Sequence, residues 1–245
     1  MATQINNDTL FHIYAEEGPI CVERSAFDHI ENGAKLVIVG ITPGAQQRDL
    51  ANAAYRSAIA RGEAPAEANR SAKFAASFGG AMRANLVKLM DAVGANELLG
   101  LRSLSEAFNP ATKGKVHFTS ALRYPVFYDG ANFNGQISML NSPALRQLVE
   151  NELAEEAQQL RDAVWQPLGD KPMAALRHLV SLGVLREDQI APALPHPSGA
   201  NNERIAFFLG DKAEADLSPK TNAQKIRASR EALELFYSKS LGVRA

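Results

Sequence analysis

Between residues 194 and 201 the chain reads Leu194-Pro195-His196-Pro197-Ser198-Gly199-Ala200-Asn201, a histidine enclosed by two prolines and followed by a hydroxyl and an amide. Proline fixes its own φ, so the pair holds the backbone on either side of His196 and presents the ring at the end of the segment before it. The imidazole is the one side chain whose unperturbed charge changes near neutral pH, which makes a rigidly held His196 a candidate for proton or hydrogen-bond donation. A histidine without such a setting is more often structural or merely exposed. The second candidate is Gly40-Ile41-Thr42-Pro43-Gly44-Ala45-Gln46, directly after an apolar run. Its glycines let backbone approach a ligand, and successive N–H groups can face an anion or a water. Alone, such a segment is ordinary turn chemistry. It lacks the further glycines of a dinucleotide loop and the Gly-Lys-Ser/Thr of a P-loop, so nucleotide cofactors are disfavoured and no cofactor is expected.

These two loops need elements to hold them. Leu36 to Val39 is a short apolar run closed by Gly40 and Pro43-Gly44, the pattern of a buried parallel strand. Val116 to Leu122 reads as a second strand running into an irregular loop from Arg123 to Gly135, and Ala163 to Gly169 as a third. Ile190 to Leu194 is the weakest strand and ends at the histidine loop. Between them, Asp49 to Arg61, Met82 to Val93, Leu145 to Leu160 and Met173 to Leu182 carry helical apolar spacing, and Ala223 to Leu241 closes the chain as an amphipathic helix. Strands alternating with helices predict an α/β fold: a three-layer αβα sandwich around a central, mostly parallel four-stranded sheet. Such sheets bind ligands at the carboxyl ends of their strands, which gathers the loops after Val39, Ala121, Gly169 and Leu194 at one edge.

Composition narrows the class. At 245 residues, 46% hydrophobic and 22% charged, the chain suits one globular domain covering 1–245 and none of the disordered or fibrous classes. No apolar run approaches the roughly 20 residues of a membrane helix, and Met1 to Thr9 lacks the pattern of a secretory signal. A cytoplasmic monomer without membrane contact is expected. Cys21 is the only cysteine, so neither a disulfide framework nor a cysteine-ligated zinc or iron–sulfur cluster can be built, and no metal is expected. The net charge of -1 gives no electrostatic footprint for nucleic acid. Locally, Lys220, Lys225, Arg227 and Arg230 form a basic stretch without an acidic residue between Ser218 and Arg230. That stretch could turn a face toward phosphate, although a solvated helix face is the ordinary meaning of a charge run.

The Gly40 to Gly44 loop, the Val116 to Pro125 strand and loop, and the His196 to Asn201 loop occur in the order found in the uracil-DNA glycosylase superfamily, which the chain resembles over about residues 36–210. The Gly-x-x-Pro-Gly form is similar to that of the mismatch-directed, single-strand-selective and iron–sulfur branches, and Phe78-Gly79-Gly80-Ala81 is similar to their segment between the first two motifs. The resemblance implies a DNA partner, single- or double-stranded, and base flipping: the target nucleotide leaves the stack and is read along its polar edge. Phe78 would be the stacking platform; a core phenylalanine at the start of a helix is its other reading. Cleaving the glycosidic bond builds negative charge on the departing base, where a preorganised donor stabilises the transition state, and His196 would be that donor. Gly40, Pro43, Gly44, Pro197, Ser198 and Asn201 would meet the DNA backbone, with Ser198 donating to a phosphate.

The sequence also departs from that family. The usual water-positioning carboxylate or amide of the first motif is replaced by Ile41 and Thr42. Threonine can hold a water but cannot take its proton at neutral pH, which leaves Thr42 and Gln46 as catalytic candidates with Asp49 and Glu203 behind them. Ser120 stands where many relatives carry an asparagine that pairs with uracil. Asn132 or Asn134 could supply the missing amide, and a roomier pocket could accept a bulky 5-substituted pyrimidine. The absent cysteines remove the cluster of the iron–sulfur branch. Two other readings stand beside an excising enzyme: a glycosylase-like scaffold that binds DNA without cutting, and a doubly wound enzyme acting on small nucleotides.

Overall fold

The computed structural model describes residues 11–78, 81–109 and 114–240. The Gly79-Gly80 part of the Phe78 to Ala81 motif, the reading of Met1 to Thr9, and Leu241 at the end of the last helix lie outside them.

In chain order the elements are β1 (Ile13–Glu17), β2 (Ile20–Glu23), β3 (Leu36–Gly40), α1 (Ala45–Ala60), α2 (Pro65–Ala76), α3 (Ala81–Asp91), α4 (Ala95–Leu98), β4 (Val116–Ser120), β5 (Val126–Tyr128), β6 (Ala131–Asn132), α5 (Pro143–Leu148), α6 (Ala154–Gln159), β7 (Val164–Pro167), α7 (Asp170–Ser181), α8 (Asn202–Leu209) and α9 (Ala223–Ser240). A π turn, Val149–Leu153, joins α5 to α6, so the expected run from Leu145 to Leu160 is one helical path.

The chain is α/β. Strand β3 lies between β4 and β7, parallel to both. All five β3 residues are buried, as apolar spacing without alternation requires of a strand covered on both faces. Val37 and Val39 pack with Leu145, Leu148 and Leu153 of the α5–α6 run and Leu176 of α7. Leu36 and Ile38 turn the other way, into Leu86 and Met90 of α3, Phe208 of α8 and Leu233 of α9. At about 25 cal/mol per Å² of apolar surface, burial on both sides makes this strand the mechanical centre of the loops it carries.

The parallel sheet has three strands, not the four expected. Ile190 to Leu194 runs beside β7 but touches it only through isolated bridges, Trp165 with Ile190 and Leu168 with Leu194. Pro167 supplies a physical reason: after Ala191 N–H bonds Trp165 O, a regular parallel ladder takes its next bond from the residue-167 N–H, which proline lacks, and pairing resumes one residue out of register with Leu194 N–H on Pro167 O. Gln166 fills the gap with its side chain, donating from Nε2 to Pro192 O at 2.9 Å.

A separate antiparallel sheet, in the order β1-β2-β5-β6, was not expected, and it corrects the reading of Arg123 to Gly135 as an irregular loop. Strand β5 takes Val22, Cys21 and Ile20 of β2 as partners for Val126, Phe127 and Tyr128. The turn into β6 is Asp129-Gly130, with φ of +49° and +74°, the primed two-residue hairpin turn that Asp-Gly favours. Helices α1 and α2 pack through Ala51, Ala58, Ala68, Ala72 and Ala76, where small side chains let the backbones approach. Among the described residues no helix is long and apolar enough to cross a membrane.

Candidate functional site

The carboxyl ends of β3, β4 and β7 and the segment before His196 open into one cleft of about 550 Å³. Of the residues singled out in the sequence, Gly40, Thr42, Pro43, Gly44, Phe78, Ser120, Asn132, Asn134, His196, Ser198 and Asn201 line it. Gln46 and Pro197 do not. Gln46 is exposed on the outer side of α1, and Pro197 is buried with its carbonyl held by Asn85 Nδ2 at 3.0 Å.

The Gly-Pro loop is zipped to its neighbours. Ala121 N–H donates to Gly40 O at 2.8 Å and Leu122 N–H to Ile41 O at 3.0 Å, which extends the β3–β4 pairing into the loop. The Thr42 hydroxyl donates to Tyr124 O at 2.9 Å and accepts from Val126 N–H at 3.1 Å. Its proton is therefore committed to backbone, and its role is to tie the loop to β5. The backbone at Gly40 and Gly44 runs close to its neighbours: a Cβ would sit 3.4 Å from Ser120 Oγ at the first and 3.4 Å from Asn132 Nδ2 at the second. Asn132 Oδ1 accepts from Ala45 N–H at 2.9 Å, which leaves its amide nitrogen without a partner among the described residues.

His196 sits across the cleft. Its Nδ1 accepts from Ser198 N–H at 3.3 Å, so the neutral ring carries its proton on Nε2 and offers that N–H as a donor. Burial pushes the imidazole pKa down, which keeps it neutral over a wider range. Ser198 Oγ accepts from Asn201 Nδ2 at 3.2 Å, bracing the same turn.

Phe78 joins both of its readings. It lines the cleft, yet it is buried with its ring edge-on to Phe118 at 5.7 Å. Its φ is +48°, an unusual backbone state for an aromatic residue. Arg83 clamps that state, donating to Phe78 O at 3.2 Å and Ser77 O at 2.9 Å.

Sequence reasoning missed several cleft residues. Gln47, next to the expected Gln46, accepts from Gly44 N–H at 3.1 Å and donates to Ala76 O at 3.2 Å. Asp170, the first residue of α7, is the only carboxylate among the described residues that line the cleft, and it pairs with Lys225 at 2.9 Å. The other acidic candidates lie elsewhere. Asp49 is engaged by Arg48, and Glu203 accepts from Ser218, Thr221 and Lys212, whose hydrogen bonds bring its carboxyl down to about 2. Lys171 lines the cleft and has no carboxylate partner among the described residues.

Lys73 and Arg123 form part of the cleft's back wall and belong to a buried ionic cluster centred on Glu156. Arg123 Nε donates to Glu156 Oε1 at 2.9 Å, His117 Nε2 to Glu156 Oε2 at 3.1 Å, and Lys73 Nζ lies 3.6 Å from Oε1. His117 Nδ1 accepts from Glu31 N–H at 3.3 Å, which fixes its neutral tautomer. Burial pushes Lys73 down to about 8 and His117 down to about 4. Burial alone would raise the Glu156 carboxyl, but Lys73, Arg123 and His117 outweigh it and hold it well below the carboxylate range. Glu156 stands in plain view in the sequence, but its partners Arg123, His117 and Lys73 are 33 to 83 positions away and carry no local signal.

Among the described residues no group of three or more His, Cys, Asp or Glu side chains is arranged to hold a metal ion. No family model matches the chain. No solved structure matches it. It is similar to the uncharacterized protein YoxB of Bacillus subtilis (strain 168), 29% identical over 191 residues that span 77% of this chain and 74% of that protein.

Proposed function

We propose that the chain is a DNA glycosylase of the uracil-DNA glycosylase type, which extrudes a pyrimidine nucleotide and hydrolyses its glycosidic bond to leave an abasic site. One observation carries the reading. The three ordered loops on which the resemblance rests line a single cleft, and across it His196 offers a neutral Nε2–H donor. A neutral donor suits a departing base that gains negative charge as its bond to the sugar breaks, because it stabilises the transition state more than the ground state. Phe78 supplies an aromatic wall for the base, and the free amide nitrogen of Asn132 can donate to a base oxygen in place of the asparagine that Ser120 replaces. In this reading residues 190–194, which run beside β7 through two isolated bridges, would stand in for the fourth strand expected of this type of sandwich. Asp170 is the carboxylate within the cleft that can orient the attacking water.

The test is release of free base, followed by mass spectrometry, from oligonucleotides carrying uracil or a bulky 5-substituted cytosine. Release from either, abolished in His196→Ala, supports the reading. Efficient excision of uracil alone ends the modified-base version, and no release from any substrate sinks the enzyme.

A second reading, a DNA-binding protein of this architecture that does not cut, is favoured by one feature of the first loop. Thr42 has committed its proton to Tyr124 O, so the loop offers no side chain that could accept a water's proton. DNA affinity without base release on the same preparation would select it.

A further inference from the structure

A second groove, of about 360 Å³, adjoins the cleft and shares Gly169, Asp170, His196 and Asn201 with it. It is lined by three cations, Arg204, Lys220 and Lys225, against the single carboxylate of Asp170. That carboxylate is taken by Lys225 at 2.9 Å, and among the described residues Arg204 bonds only the neutral Asn201 amide, at 3.1 Å. Lys220 is exposed and has no partner among the described residues. Elsewhere the basic stretch of residues 218–230 is neutralised within the chain: Arg227 pairs with Glu214 and Arg230 with Glu234. Of the cations in the groove and in this stretch, the two without a carboxylate partner among the described residues, Arg204 and Lys220, both face the groove. The loop carrying Lys220 is also held in place, because Ser218 and Thr221 on either side of it both hydrogen-bond Glu203, which Lys212 also pairs. A prefixed loop presenting an uncompensated ammonium beside an uncompensated guanidinium suits an anion, and a guanidinium can bind phosphate oxygens in bidentate fashion.

We propose that this groove binds backbone phosphates of the strand on one side of the extruded nucleotide, through Arg204 and Lys220. The inference rests on the glycosylase reading of the adjoining cleft, since the two cavities lie side by side with His196 and Asn201 lining both.

The experiment measures the affinity of the full chain for fluorescent single-stranded and duplex oligonucleotides carrying one uracil, across a series of salt concentrations, with base release followed in parallel. The chains compared are the wild type, R204A/K220A, and the charge-matched R161A/R186A, whose exposed arginines lie beyond the amino ends of β7 and of the 190–194 segment. Each phosphate contact contributes roughly 0.9 to the slope of log affinity against log salt on duplex and 0.7 on single strand, so loss of two contacts lowers the slope by roughly 1.4 to 1.8. That loss in R204A/K220A, with R161A/R186A matching the wild type, is the expected result. Equal slopes in all three chains, with base release intact, overturn the groove and leave the glycosylase standing. The slope loss without base release from any substrate keeps the groove and removes the enzyme. A wild type that binds no oligonucleotide overturns both. Loss of inorganic phosphate binding without loss of oligonucleotide affinity makes the groove a free-anion site and overturns the backbone assignment.

Discussion

The two sides of the cleft treat polar groups in opposite ways. Its back wall contains Lys73, Arg123, His117 and Glu156, four ionisable side chains held out of water, with Lys73 and Arg123 paired to Glu156, Arg123 also to Glu152, and the neutral His117 hydrogen-bonded to Glu156. Its other side contains His196, Asn132 and Lys171, each with a donor that no neighbour among the described residues takes. The first arrangement fixes geometry, because β4, α2 and α6 are tied to one carboxylate. The second keeps hydrogen-bonding capacity in reserve for a ligand. A buried charge and a catalytic group can look alike in a sequence, and what separates them is whether their partners already lie within the fold.

The sharpest way to break this contrast is to remove the carboxylate that centres the cluster. Glu156→Ala leaves Lys73 and Arg123 buried without their shared partner, and breaking a buried ionic pair costs about 3 to 5 kcal/mol. Urea unfolding of the variant should report a loss of that size. A change below about 1 kcal/mol would mean that water reaches the cluster and that it does not position the wall.

On the opposite side, His196→Ala should act on rate and leave stability nearly alone. Removal of a preorganised transition-state donor lowers turnover by about 100- to 1,000-fold, or roughly 2.7 to 4 kcal/mol. Single-turnover base release read beside thermal unfolding gives both quantities from one preparation. A variant that unfolds at a much lower temperature would place His196 with the structural residues instead.

Protons distinguish the two sides as well. The His117 pKa is lowered to about 4 in the folded chain, chiefly by burial, whereas in the unfolded chain it returns to about 6.5. The unfolded state therefore binds more protons between these values, and stability falls as pH drops from about 6.5 toward 4. Glu156 acts in the same direction at lower pH: its depressed carboxyl favours the fold above the unfolded value of about 4.3, and that contribution is lost on further acidification. His117→Gln, measured by chemical unfolding from pH 7 to 4, should flatten the upper part of this dependence by up to roughly 1.4 kcal/mol per pH unit. An unchanged slope would assign the acid sensitivity to other groups.

These regions also differed in how far the sequence disclosed them. An apolar run marked β3 because a strand buried on both faces has to be apolar throughout, loose alternation between Gly114 and Pro125 marked β4, Ala163-Val164-Trp165 marked β7, and the two prolines marked the His196 loop because they constrain backbone locally. The antiparallel sheet was hidden because its strands are two to five residues long and its β2–β5 pairing joins positions more than 100 apart. Only Asp129-Gly130 announced it. Ile190 to Leu194 reads as a strand from its apolar residues, but the proline that removes a ladder donor, Pro167, lies on the neighbouring strand more than 20 positions away. The ionic cluster had no local trace, since a lysine on α2 and a glutamate on α6 look like surface residues until the fold brings them together.

Phe78 stands where the two sides meet, and it gives the smallest and most discriminating test. Its ring belongs to the apolar cluster that includes Phe118, and it also faces the cleft. Truncation should therefore weaken both the fold and the grip on an extruded base, the latter by about 1 to 3 kcal/mol per stacked base. Comparing Phe78→Ala with Phe78→Gly isolates the backbone from the ring. Both lose the aromatic contacts, but only alanine must hold a Cβ at a φ of +48°. The left-handed state costs a non-glycine residue roughly 1 to 2 kcal/mol, so the glycine variant should be more stable than the alanine variant by about 1 kcal/mol. Both should bind oligonucleotide equally weakly. If alanine proves the more stable, the clamp from Arg83 onto Ser77 O and Phe78 O does not impose this conformation, and the aromatic wall is free to move when a base arrives.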